Sequence, residues 1–373
     1  MENENIQRLD REREHLSYID RARGFAMCCV VIGHIITLVS MSKPEMRLGE
    51  IVRVLSVFEL TVFFVISGYL FYKNPQPLFF PFVKKRFFRL LIPYFIFSLL
   101  NILFFVLIEH SQDMNLSNLL MLTFTFYGIS VLWFFPTLFI GEILWWFLQK
   151  KLKPCSRIIV LFVIIVVACS IREYLIPTAV SLWAKSQVLY VFDQILIAFL
   201  RGVICMFFIG VGYGFGSAEE KWREHKLWSV IMWFMPLIGL CSAWYVPSVN
   251  LKDYVFQRPA LWIASAMMIS IGILFLAQQT KSISLNILDV IGKNSMIVMC
   301  THLDFKIPIY CMMCAEQFVA ISPHGKNYVY WGSLFASLVL IEVLVVWGWN
   351  IVKGFLGTRT ESYSRVKKTK TKR

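Results

Sequence analysis

The sequence predicts an all-α membrane protein, a bundle of about ten transmembrane helices with both termini in the cytoplasm. Hydrophobic residues make up 58% of the chain, and the mean hydropathy is +0.65. Apolar runs of about 18 residues or more recur along its length, and each can cross a hydrocarbon core of about 30 Å as a helix. A soluble globular domain carries fewer apolar residues than this.

The apolar runs follow one another along the whole chain and are joined by short polar segments. There are roughly ten, at about 22–41, 52–72, 91–110, 131–149, 156–176, 192–215, 227–246, 259–279, 285–310 and 330–352.

The distribution of lysine and arginine predicts how these helices are oriented. If every run crosses the bilayer, the side with both termini carries about three times as many basic residues as the other side. Basic residues are retained on the cytoplasmic side of a membrane. Both termini are therefore expected in the cytoplasm, and residues 111–130 are expected outside.

The chain is expected to form a single membrane domain over residues 1–373, because no long linker or repeat divides it. A cytoplasmic segment at 1–21 and a basic cytoplasmic tail at 354–373 would flank the bundle. The tail is expected to contact anionic lipid, where each basic residue contributes about 1 kcal/mol. The net charge of +14 then requires no nucleic acid as a partner. We expect no cleavable signal peptide, since the chain begins with a polar segment.

The nine cysteines lie mostly within predicted helices and indicate apolar packing and no disulfide framework. Cys311 and Cys314 are spaced like a redox or metal pair, but no second pair of ligands accompanies them. We therefore expect no metal site.

Ionisable residues inside the apolar runs are the first candidates for function, because an unpaired charge in lipid costs several kcal/mol. Each is also compatible with a polar contact between helices, but as a set they indicate a polar cavity. They are His34, Glu59, Glu142, Asp193, Arg201, His302 and Glu342.

The stretch RGFAMCCVVIGHI, residues 23–35, combines a cationic end with a histidine deep in an apolar run. Eleven residues of helix separate Arg23 from His34 by about 16 Å and by three turns plus about 20°, so both lie on one face. A cavity wall could then hold a cationic anchor and a titratable imidazole. The alternative is a snorkelling arginine and a hydrogen-bonded histidine.

A basic cluster follows the second apolar run, within LFFPFVKKRFFRLLIPY (78–94). Lys84, Lys85, Arg86 and Arg89 there are expected on an interfacial helix. Lipid binding and topology are the alternative explanation for such a cluster. Just before it, the pair Ser67-Gly68 would allow another helix backbone to approach closely.

Several motifs in order resemble the acyltransferase-3 family of integral membrane O-acyltransferases, within it the branch similar to fucose 4-O-acetylases. The motifs are Arg23-x10-His34, FFVISGYLF (63–71), KKRFFRLLIPY (84–94), LWFFPTLF (132–139) and SMIVMCTH (295–302). The chain departs from that branch at FELTVFF, where many relatives have a sequence close to FHMPLFF. Glu59 thus stands where the resemblance leads one to expect a second histidine.

The resemblance implies transfer of an acetyl group from cytoplasmic acetyl-CoA to a sugar hydroxyl. The acceptor would be a cell-envelope or exported polysaccharide or its lipid-linked precursor, and the protein a multi-pass protein of the bacterial inner membrane. The catalytic residues would be His34 and Arg23, with His34 acting as general base or being transiently acetylated. The CoA-binding residues would be Arg23, Ser67, Lys85, Arg86 and Arg89, and those contacting the acceptor would be Glu59, Trp133, Glu142 and His302.

Midplane ionisable groups are also found in secondary transporters and flippases, so transport of a glycan intermediate is the alternative function. A non-catalytic scaffold is a third. The sequence does not identify the acceptor or the oligomeric state. It also does not decide whether the transferred group is acetyl or a larger acyl group.

Overall fold

The structure is a computed structural model. It describes residues 2–46, 48–108, 115–183, 186–247, 249–280, 283, 285–321 and 326–370. The chain divides into two compact units, Met1–Lys293 and Asn294–Arg373, and the single domain expected from the sequence stays a prediction.

The first unit is helical apart from one short hairpin. Its helices are α1 (Glu2–Ser42), α2 (Gly49–Phe58), α3 (Thr61–Lys73), α4 (Phe79–Arg86), α5 (Ile92–Leu103), α6 (Leu116–Phe124), α7 (Phe134–Lys151), α8 (Pro154–Trp183), α9 (Gln187–Glu224), α10 (Lys226–Ala243), α11 (Pro259–Gln279) and α12 (Asn286–Lys293). A 3₁₀ turn occupies Pro44–Met46, and π turns occupy Phe87–Leu91 and Phe104–Ile108. Strands β1 (Val249–Asn250) and β2 (Val255–Phe256) pair antiparallel.

The second unit consists of α13 (Ser295–Thr301), α14 (Ile307–Ile321) and α15 (Lys326–Lys370). Within it, the Thr301 hydroxyl donates to Oε2 of Glu342 at 3.0 Å, so this buried glutamate has a polar partner. The tail predicted at 354–373 begins inside α15, and residues 371–373 lie outside the described residues, as do 111–114 of the predicted outer loop.

The all-α membrane fold is confirmed. Eight helical segments of the described chain are long and apolar enough to span a membrane: Ser17–Ser42, Gly49–Lys73, Phe79–Leu107, Pro154–Ile171, Gln187–Glu219, Lys226–Ala243, Pro259–Gln279 and Lys326–Ile351. The count of ten and the cytoplasmic termini stay predictions.

Two predicted runs are not among these eight segments. The run 131–149 corresponds to α7, which ends in Lys150 and Lys151. The prediction of one continuous helix over 285–310 is wrong. That stretch is divided at Asn294 and again after His302, where Phe305 and Lys306 adopt positive φ values of 56° and 57°.

The predicted helix 52–72 is also interrupted. It turns at Glu59 and Leu60 between α2 and α3. The Thr61 hydroxyl donates to the Phe58 carbonyl across this turn at 3.0 Å, so a backbone acceptor released by the break is paired. The turn leaves Glu59 at a kink inside a spanning segment.

Helix α9 packs against α3, α7 and α8 at the centre of the first unit. Its contact with α3 is backbone to backbone. A Cβ on Gly68 would overlap the Ile209 carbonyl, and one on Gly212 would overlap that of Val65. The close approach predicted from Ser67-Gly68 is confirmed for Gly68, and it places the neighbouring Ser67 at the meeting point of α3 with its partners.

Candidate active site

Arg23 and His34 lie on the single continuous helix α1. The shared face and the separation of about 16 Å therefore follow from helix geometry, as predicted. Arg23 is mostly buried, with 21% of its side chain exposed, and its Nη1 donates to Asp20 Oδ1 at 3.4 Å. His34 is half-buried.

The arginines of the basic cluster converge on Arg23. The charges that act on Arg23 come from Arg89, Asp20 and Arg86, and those that act on Arg89 come from Arg86, Glu142 and Asp20. Three guanidinium groups and two carboxylates therefore lie within electrostatic range of one another, with direct pairs between Arg23 and Asp20 and between Arg86 and Glu142. Like charges held together in this way repel one another and favour an anion between them.

The turn after α4 determines where Arg89 lies relative to Arg86. The backbone N–H of Ile92 donates to the Phe87 carbonyl, a π-type bond that widens the helix between the two arginines. Pro93 follows directly and has no N–H to give to the preceding turn, which removes one α-type bond. The absence of a Pro93 N–H thus leaves the Arg89 carbonyl without an α-type bond next to the π turn at Phe87–Leu91.

A short relay of side chains ties Arg86 to the bundle. The Ser67 hydroxyl on α3 donates to Oε1 of Glu142 on α7 at 2.5 Å. The other carboxylate oxygen, Oε2, lies 2.9 Å from Nε of Arg86. That second contact is an ion pair without hydrogen-bond alignment, since neither atom has a hydrogen-bond partner among the described residues.

The guanidinium of Arg86 lies over two phenyl rings, 5.6 Å from the centroids of Phe71 and Phe82. Its side chain is 14% exposed. Among the described residues, no hydrogen-bond partner meets its Nη1 or Nη2. The group is thus held on its Nε edge and available on the other, which is the geometry that binds a phosphate or carboxylate through two parallel N–H donors.

Lys85 does not join this group. It is exposed, like Lys84, and it is not among the charges that act on Arg23 or Arg89. Arg89 is exposed as well, but its charge acts on Arg23, whereas that of Lys85 does not. Among the predicted CoA-binding residues, the structure therefore groups Arg23, Ser67, Arg86 and Arg89 and leaves Lys85 apart.

Glu59 lies close to the helix that carries His34. Its carboxylate is buried, and Oε2 would be 3.0 Å from a Cβ built on Gly33, the residue before His34. Oε2 has no hydrogen-bond partner among the described residues. Glu59 thus puts a carboxylate with an open oxygen beside α1.

Trp133, at the start of α7, and Arg201, on α9, form a separate cluster. The fully buried guanidinium of Arg201 lies 5.0 Å from the Trp133 ring centroid and 5.1 Å from that of Tyr127. It donates to the carbonyls of Phe126, Tyr127 and Lys252, each at 3.1 Å. One face of Trp133 is therefore already covered by a cation.

Tyr127 joins this cluster to the hairpin. Its hydroxyl donates to Asp253 Oδ1 at 2.6 Å. Burial raises the pKa of the Tyr127 hydroxyl, and the bond to Asp253 raises it further. The hydroxyl therefore remains a neutral donor.

His302 lies in the second unit. It is fully buried, and its Nδ1 is 2.8 Å from the Val298 carbonyl of its own helix. This contact fixes the orientation of the ring, as in a histidine that completes a helix end.

The model of the acyltransferase-3 family, described as an acyltransferase domain, matches residues 16–350. The chain belongs to this family. Comparison with curated proteins and with solved structures finds no match. Membership in the acyltransferase-3 family makes the chain a membrane acyltransferase, while its place near the fucose 4-O-acetylases stays a prediction.

Two features of this acyltransferase were missed in the sequence. Asp20 lies three residues before Arg23 on α1, and the i,i+3 spacing of opposite charges could have revealed the pair. Tyr69 carries a network that no spacing would disclose, because its partners come from distant segments. Its hydroxyl lies 2.8 Å from the Tyr18 hydroxyl and donates to Oε2 of Glu219 at 2.9 Å. Glu219 also pairs with Lys73 at 2.6 Å.

Proposed function

We propose that this acyltransferase moves an acetyl group from acetyl-CoA to a sugar hydroxyl. The donor would enter from the cytoplasm at the end of the bundle that carries Arg23. The acceptor would be a cell-envelope or exported polysaccharide or its lipid-linked precursor, in the bacterial inner membrane. The observation that carries the proposal is the convergence of Arg23, Arg86 and Arg89.

The charge balance of the cluster supports an anionic donor. The three arginines outnumber the two carboxylates that act on them, Asp20 and Glu142, and Asp20 is also shared with Lys293. The terminal nitrogens of Arg86 are open, and CoA carries phosphates that accept such donors. A basic segment that only marked topology or bound lipid would not need a buried carboxylate to hold one of its arginines.

The position of His34 supports proton transfer to or from the imidazole near mid-membrane. An extended pantetheine arm reaches across the gap of about 16 Å from Arg23. The acceptor oxygen attacks the thioester carbonyl, so a C–O bond forms as the C–S bond breaks. His34 takes the hydroxyl proton and returns it to the departing CoA sulfur. A transient acetyl-imidazole is the alternative route.

Glu59 is the best-placed acceptor ligand among the predicted residues. Its open oxygen near Gly33 suits a hydrogen bond from a sugar hydroxyl. Trp133 has one ring face left for a sugar at most, because Arg201 covers the other. Glu142 is engaged by Ser67 and Arg86, and acceptor contact through His302 remains a proposal. The basic tail is proposed to contact anionic lipid.

The decisive assay follows release of free thiol from acetyl-CoA by protein in lipid nanodiscs, with candidate envelope glycans as acceptors. The wild-type protein should release thiol and acetylate the acceptor. A transporter or flippase of glycan intermediates would bind acceptor but leave acetyl-CoA intact.

Substitution of His34 tests the chemical step. His34→Ala and His34→Gln should both abolish transfer, because an amide can replace a hydrogen bond but cannot act as a base near neutral pH. Variants matched for membrane abundance make the comparison. Near-normal turnover in His34→Gln would remove the imidazole from the mechanism.

A further inference from the structure

We infer that Glu142, held in place by Ser67, is the positioning residue that presents Arg86 to a phosphate of the donor. The inference rests on the proposed function, since it assigns the donor site to the arginine cluster. It differs from the expectation that Glu142 contacts the acceptor sugar.

The two oxygens of the Glu142 carboxylate are already divided between two partners. Oε1 accepts the Ser67 hydroxyl at 2.5 Å, and Oε2 lies 2.9 Å from Arg86 Nε. The side chain is 2% exposed. A carboxylate buried this deeply needs its cation, so the pair is held together by the cost of separating it.

The relay joins three helices at one point. Ser67 lies on α3, Glu142 on α7 and Arg86 at the end of α4. Ser67 donates a hydrogen bond to one oxygen of the carboxylate, and the other oxygen attracts Arg86 at Nε through an ion pair. The serine of the FFVISGYLF motif therefore supports Glu142, because its single hydroxyl proton is donated to that carboxylate.

The opposite edge of the guanidinium is left for the ligand. Nη1 and Nη2 have no hydrogen-bond partner among the described residues, and Phe71 and Phe82 flank the group. A flexible arginine loses rotamer freedom when it binds an anion. An arginine already fixed by a carboxylate and two rings has lost that freedom before the donor arrives.

Removing the charge of Glu142 has two opposing effects. The site becomes more positive, which by itself attracts an anion. Arg86 also loses its anchor and is repelled by Arg23 and Arg89, so its long side chain can turn toward water. We expect the misplacement of Arg86 to outweigh the gain in positive charge. A phosphate bound through two N–H donors depends on the position of the guanidinium, which a general increase in positive potential does not restore.

The test measures binding of coenzyme A itself by isothermal titration calorimetry on the full chain in nanodiscs. Glu142→Gln keeps the size of the side chain and an oxygen for Ser67 but loses the ion pair, and it should raise Kd about tenfold. Ser67→Ala should raise it about threefold. Glu219→Gln is the matched control, a buried glutamate paired with Lys73, and should leave Kd unchanged.

A double-mutant cycle with Arg86→Ala separates positioning from other roles. If Glu142 acts through Arg86, Glu142→Gln should add nothing to Kd in the Arg86→Ala background. An equal loss in both backgrounds would overturn the inference, as would unchanged or tighter binding by Glu142→Gln alone. Should Glu142→Gln fail to accumulate, the same cycle with Ser67→Ala decides.

Failure of the proposed donor site has a different signature. If Arg86→Ala binds coenzyme A as the wild type does, the arginine cluster is not the donor site, and both proposals fall. If Arg86→Ala weakens binding while Glu142→Gln and Ser67→Ala do not, the donor site stands and only the positioning role is wrong.

Discussion

Two arginines of the first unit, Arg86 and Arg201, are both withdrawn from water but have different kinds of partner. Arg201 is fully buried and donates to three backbone carbonyls between two aromatic rings. Arg86 is paired through one edge with Glu142 and keeps its terminal nitrogens open. Burial alone therefore does not identify a functional arginine. The terminal nitrogens distinguish the two arginines, because those of Arg201 donate to backbone carbonyls and those of Arg86 are open.

The Arg201 environment is that of a structural clamp. Phe126 and Tyr127 belong to the segment before α7, and Lys252 belongs to the hairpin turn after β1. The Arg201 side chain thus connects two irregular segments through hydrogen bonds to their carbonyl groups. Phe126 and Tyr254 in these segments have positive φ values of 61° and 57°. Such conformations cost free energy and persist only when surrounding contacts hold the backbone in place.

The largest effect is expected when the clamp is removed. Arg201→Leu leaves three carbonyls without their donor, and at roughly 1–3 kcal/mol for each unsatisfied group the loss amounts to much of a typical stability. We expect a sharp fall in the thermal midpoint and in membrane abundance. Thermal unfolding in detergent measures it, and an unchanged midpoint would contradict the clamp.

A smaller effect on stability, with a clear effect on binding, is expected at Arg86. Arg86→Ala should raise the Kd for coenzyme A about 30-fold, because charge-assisted hydrogen bonds contribute about 1.5–3 kcal/mol each. The thermal midpoint should also fall, because the buried Glu142 loses its cation, but by less than in Arg201→Leu. If Arg86→Ala instead unfolds the protein and the surviving fraction binds normally, the two arginines do not differ in role.

The smallest effect is expected at Lys85, which neighbours Arg86 in sequence but is exposed. Lys85→Ala should change the Kd for coenzyme A by less than about twofold, since exposed charges are screened by solvent and salt. Titration at low and physiological salt measures it. A loss as large as that of Arg86→Ala would mean that the whole basic segment binds as a diffuse patch.

The sequence predicted the elements that depend on local pattern. Apolar runs predicted most helices, and the shared face of Arg23 and His34 follows from helix periodicity on α1. The stretch 285–310 failed because its composition is apolar while its interruption depends on Asn294 and on the backbone at Phe305 and Lys306.

The candidate site could be predicted only in part, because its pairings join distant segments. Ser67 and Glu142 are 75 residues apart, and no spacing rule connects them. The sequence therefore placed Glu142 with the acceptor, whereas the structure engages it with Arg86. Likewise, the sequence predicted Trp133 as an aromatic ring for the acceptor sugar, and only the fold shows that Arg201 lies against one of its faces.

The most direct test of the donor site is calorimetric titration of coenzyme A into the Arg23→Ala/Arg86→Ala/Arg89→Ala variant, with the Lys84→Ala/Lys85→Ala variant as the charge control. The arginine variant is predicted to lose measurable binding while remaining inserted and folded, and the lysine variant is predicted to bind nearly as the wild type does. Wild-type affinity in the arginine variant, or equal losses in both, would contradict the account.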